Sequence, residues 1–226
     1  MGARRWGRGS RGSGQHSRGD SAAAALDLEN LIAAVPGTAG VLERVDPAAV
    51  AEHVARLALP LLPTGVILTV DPRSTYAVAA RLGDLELILL NLMRNAREAI
   101  GERGSIHIAT DDLDVDGEQA ARLRLGLAGP HVAISVADTG TGIADDLIDR
   151  IFEPSFTTKS AGSGAGVGLA AVSSTVGRYD GSIAVETAVG TGTRITVFLP
   201  AITVGTARSL PGLRFVRPSG ADALYR

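Results

Sequence analysis

The sequence predicts an α/β two-layer sandwich: a mixed, mostly antiparallel sheet packed on helices. Three observations carry this expectation. Residues 84–100 place Leu85, Ile88, Leu89, Leu92, Ala96 and Ala99 on one face at helical spacing, which is the strongest helix in the chain. Short β-branched runs recur on both sides of that helix, and the last two flank Gly190-Thr191-Gly192-Thr193, a hairpin signal. Helices alternate only loosely with these strands, which favours two layers over a doubly wound parallel sheet.

The elements follow in order. Residues 1–20 hold Arg4, Arg5, Arg8, Arg11 and Arg18 among six Gly and three Ser. Such a segment buries too little apolar area to offset its ordering entropy, so it is expected to be disordered. It is no signal peptide, because no apolar stretch follows the basic one. Leu26, Leu28, Leu31 and Ile32 suggest a short amphipathic helix between Ala22 and Ala34. A second helix is expected after Asp46-Pro47, with Asp46 as N-cap and Pro47 at the first helical position; Pro60 and Pro63 end it. These helices form an expected lead-in over residues 21–63.

Val66–Val70 then reads as a strand bounded by Gly65 and Asp71-Pro72. After the long helix, strands are expected at Ser105–Thr110 and Val132–Ala137, with an acidic loop over Asp111–Glu118 between them. Val167–Val176 returns to helix and closes at Gly177 to Asp180. Strands at Ile183–Glu186 and Arg194–Leu199 complete the set, with Pro200 ending the last. Residues 64–200 are thus the expected main domain, and residues 201–226 a tail.

Composition excludes several classes. The 226 residues carry 22 Lys+Arg against 24 Asp+Glu, a net charge of −2 that argues against a dedicated nucleic-acid binder. The absence of Cys removes disulfides, cysteine-ligated zinc and thiol nucleophiles together. Aromatic residues make up 4%, too few for base stacking to be a theme. No apolar run approaches the roughly 18 residues of a spanning helix, so a cytoplasmic location without a membrane segment is expected. Lys159 is the only Lys, and it sits beside Thr157 and Thr158.

The glycine-rich stretch fails two familiar patterns. A P-loop needs Gly-Lys-Ser/Thr, and Lys159-Ser160 follows Thr158 instead. Gly166, Gly168 and Ala171 satisfy the letters of a dinucleotide fingerprint, with Glu186 further on, but no strand precedes them. Three separated pieces explain the residues better. Asn91 and Asn95 lie four apart, hence on one helix face, and amide oxygens are hard neutral ligands suited to Mg²⁺. Asn is also a poor mid-helix residue, so two on one stripe between Leu90 and Ala96 call for a reason. Asp138 ends a strand before Thr139-Gly140-Thr141-Gly142; taken alone, this is an ordinary turn. A carboxylate there could also accept a hydrogen bond from an exocyclic amine such as adenine N6, with the glycines letting a flat ring approach. Finally, Gly164, Gly166 and Gly168 lead into a helix, whose amide groups and positive dipole end suit phosphate.

Together these strings resemble the boxes of the GHKL ATPases. Asn91-Leu92-Met93-Arg94-Asn95-Ala96 is similar to their N box, and Asp138-Thr139-Gly140-Thr141-Gly142-Ile143 to their first glycine box. Residues 151–159, Ile-Phe-Glu-Pro-Ser-Phe-Thr-Thr-Lys, resemble the F box that marks bacterial sensor histidine kinases. Gly164-Ala165-Gly166-Val167-Gly168-Leu169 resembles the second glycine box, and Gly190–Thr193 the third. Any one string is weak; five in the family's order are specific. The resemblance covers roughly residues 65–200.

It implies the Bergerat fold, with ATP held between helices and a lid from Phe152 to Gly164. By the same resemblance Asn95 would coordinate Mg²⁺, with Asn91 beside it as second ligand or water-orienting group. Asp138 would read adenine, Gly140 and Gly142 would shape the pocket, and Thr193 would lie near the base. Gly164, Gly166, Gly168 and Leu169 would cradle the phosphates, with Thr158 and Lys159 as contacts from the lid. The implied activity is transfer of the ATP γ-phosphoryl group to a histidine.

The chain also departs from the pattern. Leu87 stands where many relatives have Gln, Arg81-Leu82 replaces a frequent Asp-Pro, and Ala165 and Val167 replace commoner Thr and Leu. A complete histidine kinase carries a dimerising helical hairpin with a His followed by an acid, and none of His16, His53, His107 or His131 sits in such a context. The acceptor is therefore expected on a partner chain, in a two-component system with a response regulator. The alternative is an ATP-binding regulatory module that binds a partner kinase or anti-sigma type protein without transfer.

Overall fold

The computed structural model describes residues 4–6, 28, 30–35, 41–154, 156, 168–202 and 214–216. Residues 30–34 are helical (α1), with Leu31 and Ile32 packed against the main core. Strand β2 (Glu43–Val45) precedes helix α2 (Pro47–Ala58). Asp46 caps α2 as its position suggests: Oδ1 accepts from the Ala48 amide at 2.9 Å and from Ala49 at 3.3 Å, with Pro47 behind it. Such a cap contributes about 1 kcal/mol.

Helix α3 (Leu82–Ile100) is the centre of the molecule. Leu85, Ile88, Leu89, Leu90 and Leu92 are each at most 2% exposed, and fully burying one such side chain contributes about 1.5–3 kcal/mol. Gly101, at φ 73°, lets the chain leave the helix in a conformation that side chains resist.

The sheet runs in the order β1 (Arg4–Trp6), β3 (Gly65–Pro72), β5 (Arg103–Val115), β6 (Gly129–Asp138), β8 (Gly192–Ile202), β4 (Ala77–Ala80), β2. Strand β7 (Ser182–Ala188) pairs with β8 as a hairpin, and β9 (Arg214–Val216) pairs with β7. Among the described residues only β3 and β5 pair in parallel; the other pairs are antiparallel. Helices α2, α3 and α5 (Gly168–Gly177) cover one face, where Leu68, Val70, Ile106, Ile108, Ile134, Val136 and Val197 meet them. The residues of α2 share this core with the rest of the chain. The mixed, mostly antiparallel two-layer architecture is the one expected.

Several local expectations are corrected. The strand expected at Ser105–Thr110 spans Arg103–Val115, so the supposed acidic loop begins as strand. In Asp111–Asp116 the aspartates disguised the alternation of Leu113 and Val115, which point away from Ile106 and Ile108 into a second core with Phe198. That core is closed by helix α4 (Gly117–Leu123), where Asp116 and Gln119 form a reciprocal capping box that went unread. Pro200 does not end the last strand, which continues to Ile202 because its last residues pair with β4. Strands β2 and β4 were too short to be read. In the N-terminal segment expected to be disordered, Arg4–Trp6 pairs with β3, and in the C-terminal tail Arg214–Val216 pairs with β7; the rest of residues 1–20 and 203–226 lies outside the described residues.

Candidate active site

One face of α3 forms the wall of the site. Asn91, Asn95 and Ala99 succeed one another at four-residue intervals and therefore stack along one stripe. Asn91 is 5% exposed; its Nδ2 donates to the Leu87 carbonyl at 2.8 Å, one turn back. Its Oδ1 faces Gly168, the first residue of α5: a Cβ on Gly168 would lie 2.9 Å from that oxygen and would collide with Arg94 Nη2. Asn95 keeps a buried Nδ2 that has no hydrogen-bond partner among the described residues. A buried amide left unpaired costs about 1–3 kcal/mol, so this is where a ligand atom is called for.

The other end of the stripe meets the loop after β6. Asp138 closes that strand, and its Oδ1 accepts from the Gly140 amide at 2.7 Å. Burial raises the Asp138 carboxyl above the ordinary carboxylate range, while the backbone amides of Gly140 and Thr193 pull it partly back. Gly140 packs on α3 so closely that a Cβ would sit 2.6 Å from the Ala99 carbonyl carbon, and the Thr141 amide donates to the Ala99 oxygen at 3.2 Å. Gly142, at φ 69°, has no room for a Cβ beside the Ala188 carbonyl.

The hairpin between β7 and β8 completes this end. Thr193 stands opposite Asp138 in the register, and its Oγ1 lies 3.0 Å from Thr187 Oγ1. Thr187 Oγ1 also accepts from the Ile143 amide at 2.9 Å, tying the glycine loop to the hairpin. The Gly190 amide donates to the Thr141 carbonyl at 2.8 Å.

Among the residues singled out from sequence, the fold thus joins Asn91 to Gly168, and Asp138 to Gly140 and Thr193. Asn95 stands between the two groups, and Leu169 is partly buried against the core. Thr158, Lys159, Gly164 and Gly166 lie outside the described residues. The expected lid does not start at Phe152: Ile151 and Phe152 are buried in the main core, and Phe156 packs against it under the Arg150 guanidinium, 4.5 Å from the ring centre.

Arg94, Ala99 and Thr187 were missed. Arg94 lies inside the N-box string and could have been noticed as a cation there; the other two carry no chemical signal and act through backbone and hydroxyl contacts. A cavity of about 200 Å³ opens between α3 and α5, lined by Leu87, Asn91, Arg94, Gly168 and Thr175. It adjoins the Asn91 end of the wall, away from Asp138. Among the described residues no three His, Asp or Glu side chains cluster to hold a metal ion.

Glycine backbone approached from two sides, with an acid at one end and a helix N-terminus at the other, defines a nucleotide-binding domain. Residues 81–203 match the family model of the histidine kinase-, DNA gyrase B- and HSP90-like ATPases, and the chain belongs to that family. It is 38% identical over 128 residues to the sensor kinase CckA of Brucella abortus (strain 2308), a match covering 57% of this chain and 14% of that protein. It is 40% identical over 116 residues to the sensor histidine kinase ZraS of Escherichia coli (strain K12), covering 51% of this chain and 21% of ZraS. The mycobacterial sensor histidine kinase MprB superposes with a TM-score of 0.58 at 22% identity, over 71% of this chain and 98% of that one, which shows the shared fold. The matched region is the ATPase domain of that family, and it spans about a fifth or less of these two curated relatives.

Proposed function

We propose that the chain carries out the phosphoryl-transfer step of a two-component system, moving the γ-phosphoryl group of ATP to a histidine on a partner helical hairpin. What supports this reading is that a single stripe of α3 touches both glycine boxes, Gly140 at Ala99 and Gly168 at Asn91, with the unpaired Asn95 amide between them. The adenine end is assigned to Asp138, Gly140, Gly142 and Thr193. The phosphate end is assigned to Gly168 and Leu169 and, by motif, to Thr158, Lys159, Gly164 and Gly166.

The residues present fit a magnesium ion. Asn91 commits its N–H to Leu87 and keeps its oxygen on the site side, and the Asn95 amide offers a donor or, turned over, a second oxygen. Asn91 and Asn95 would hold the ion, which would neutralise charge between the β- and γ-phosphates. In the transfer, the bond from the γ-phosphorus to its bridging oxygen breaks and ADP leaves. A phosphorus–nitrogen bond to the acceptor imidazole forms, and the imidazole gives up its proton. Positioning and charge stabilisation supply the rate, because the protein makes no covalent contribution.

The acceptor is assigned to another chain. His131 is 2% exposed with Nδ1 at 2.9 Å from the Gly129 carbonyl; His107 Nδ1 is 2.8 Å from Thr69 Oγ1 on the sheet; His53 of α2 lies 3.6 Å from Glu86 of α3. His16 lies outside the described residues. No helix among the described residues is long and apolar enough to cross a membrane, and we assign the reaction to the cytoplasm.

The test is incubation with ATP labelled at the γ-position, alone and with candidate hairpin domains. Label on a hairpin histidine in an acid-labile linkage is the expected result. Tight ATP binding without transfer to any hairpin would favour the regulatory module that binds a partner kinase or anti-sigma type protein.

A further inference from the structure

Helices α3 and α5 are tied together a second time, well away from the nucleotide cradle. Asp84, in the first turn of α3, is 1% exposed. The Tyr179 hydroxyl, just past the end of α5, donates to Asp84 Oδ2 at 2.5 Å and accepts from the Arg81 amide at 3.1 Å. Arg178 Nη2 lies 3.4 Å from Asp84 Oδ1, and Arg81 Nη1 lies 3.8 Å from Oδ2. Burial and the bond to Asp84 push the Tyr179 hydroxyl above the ordinary tyrosine range, so it remains a donor.

The two helices run antiparallel, with Gly168 beside Asn91 and Arg94 at one end and Tyr179 beside Asp84 at the other. Gly168 to Tyr179 and Arg94 to Asp84 each span roughly 15 Å at the rise of a helix, so the two contacts are the two ends of one pair. Between them α5 reads Leu-Ala-Ala-Val-Ser-Ser-Thr-Val, mostly small side chains. Low ridges key weakly into grooves, and apolar contact is non-directional, so packing alone leaves the axial position of α5 loosely set. A hydrogen bond to a buried carboxylate is directional and short-ranged.

We infer that Tyr179 and Asp84 are positioning residues that fix the register of α5 on α3 and thereby hold Gly168 against Asn91 at the phosphate end of the site. This rests on the proposed ATP reading, and it goes beyond it by giving a role to two residues that touch no nucleotide. The adenine end does not depend on α5, since Asp138 and Gly140 are held by β8 and Ala99.

The full chain is titrated calorimetrically with ATP and with AMP as wild type and as Tyr179→Phe, Asp84→Asn and Arg178→Gln, and thermal unfolding is recorded on the same samples. Tyr179→Phe is expected to weaken ATP about fivefold, a part of the worth of one hydrogen bond to a carboxylate, while leaving AMP unchanged. Asp84→Asn keeps an acceptor for the hydroxyl and should recover part of the ATP affinity. Equal ATP affinity in wild type and variants, or parallel loss of ATP and AMP, overturns the inference. Should Tyr179→Phe not fold, Asp84→Asn and Arg178→Gln carry the same comparison. A wild-type chain that binds neither nucleotide overturns the ATP reading itself, which separates the two failures.

Discussion

Gly168 at the head of α5 lies directly against the Asn91 amide of α3, where a Cβ would meet the Asn91 oxygen at 2.9 Å and collide with the Arg94 guanidinium. The missing Cβ leaves room for the Asn91 oxygen and the Arg94 guanidinium, which with Gly168 make one polar corner. Gly168→Ala would have to displace both the Arg94 guanidinium and the Asn91 oxygen. The expected outcome is a folded chain destabilised by about 1–3 kcal/mol, with ATP affinity lowered at least tenfold; calorimetry and thermal unfolding check it.

Asp138 is expected to contribute about 1.5–3 kcal/mol to ATP binding, the worth of a hydrogen bond to a charged group. Asp138→Ala therefore weakens binding by that amount, and an unchanged dissociation constant would remove the adenine role. The raised carboxyl gives the pH dependence a sign. A folded value above the unfolded one favours the protonated folded state, so this group stabilises the free domain at low pH and ceases to as pH rises through the folded value. ATP needs the ionised form, so affinity should decline on acidification at a pH above the ordinary aspartate value of about 3.9, and Asp138→Asn should flatten that decline.

Asn95→Ala removes a buried amide nitrogen that has no hydrogen-bond partner among the described residues. Its thermal stability should be unchanged or slightly higher, because the desolvated Nδ2, which has no partner among the described residues, disappears. Titrations with and without Mg²⁺ should show that the metal dependence of ATP binding is gone. Retained metal dependence would reassign the ion.

Asp112 offers a control distant from the nucleotide. Its carboxylate accepts from the Thr75 amide at 3.0 Å, the Tyr76 amide at 3.0 Å, and the Ser74 and Thr75 hydroxyls at 2.6 Å each. Burial pushes its carboxyl up, but these donors outweigh burial and hold it below the ordinary range. A depressed folded value means stability that is present above the unfolded value and lost as pH falls through the folded one. Asp112→Ala should cost about 2 kcal/mol or more in thermal unfolding and leave ATP affinity as it was.

The stripe of α3, the Asp46 cap and the glycine boxes were legible in the residues because each is a local pattern of spacing or backbone freedom. The acidic run at Asp111–Asp116 was not, since β-poor aspartates masked an alternation that matters only once α4 and Phe198 cover it. Tyr179 likewise looked like the end of a helix.

Residue order sufficed to show the stripe of α3 and the order of the glycine boxes, because amphipathic period and glycine placement are properties of short segments. The closeness of Gly168 to Asn91, the isolation of the Asn95 amide and the seat of Tyr179 on Asp84, 95 positions away, arose from packing. Such contacts depend on how helices slide and strands register, and that is settled by the whole core at once rather than by any stretch of chain.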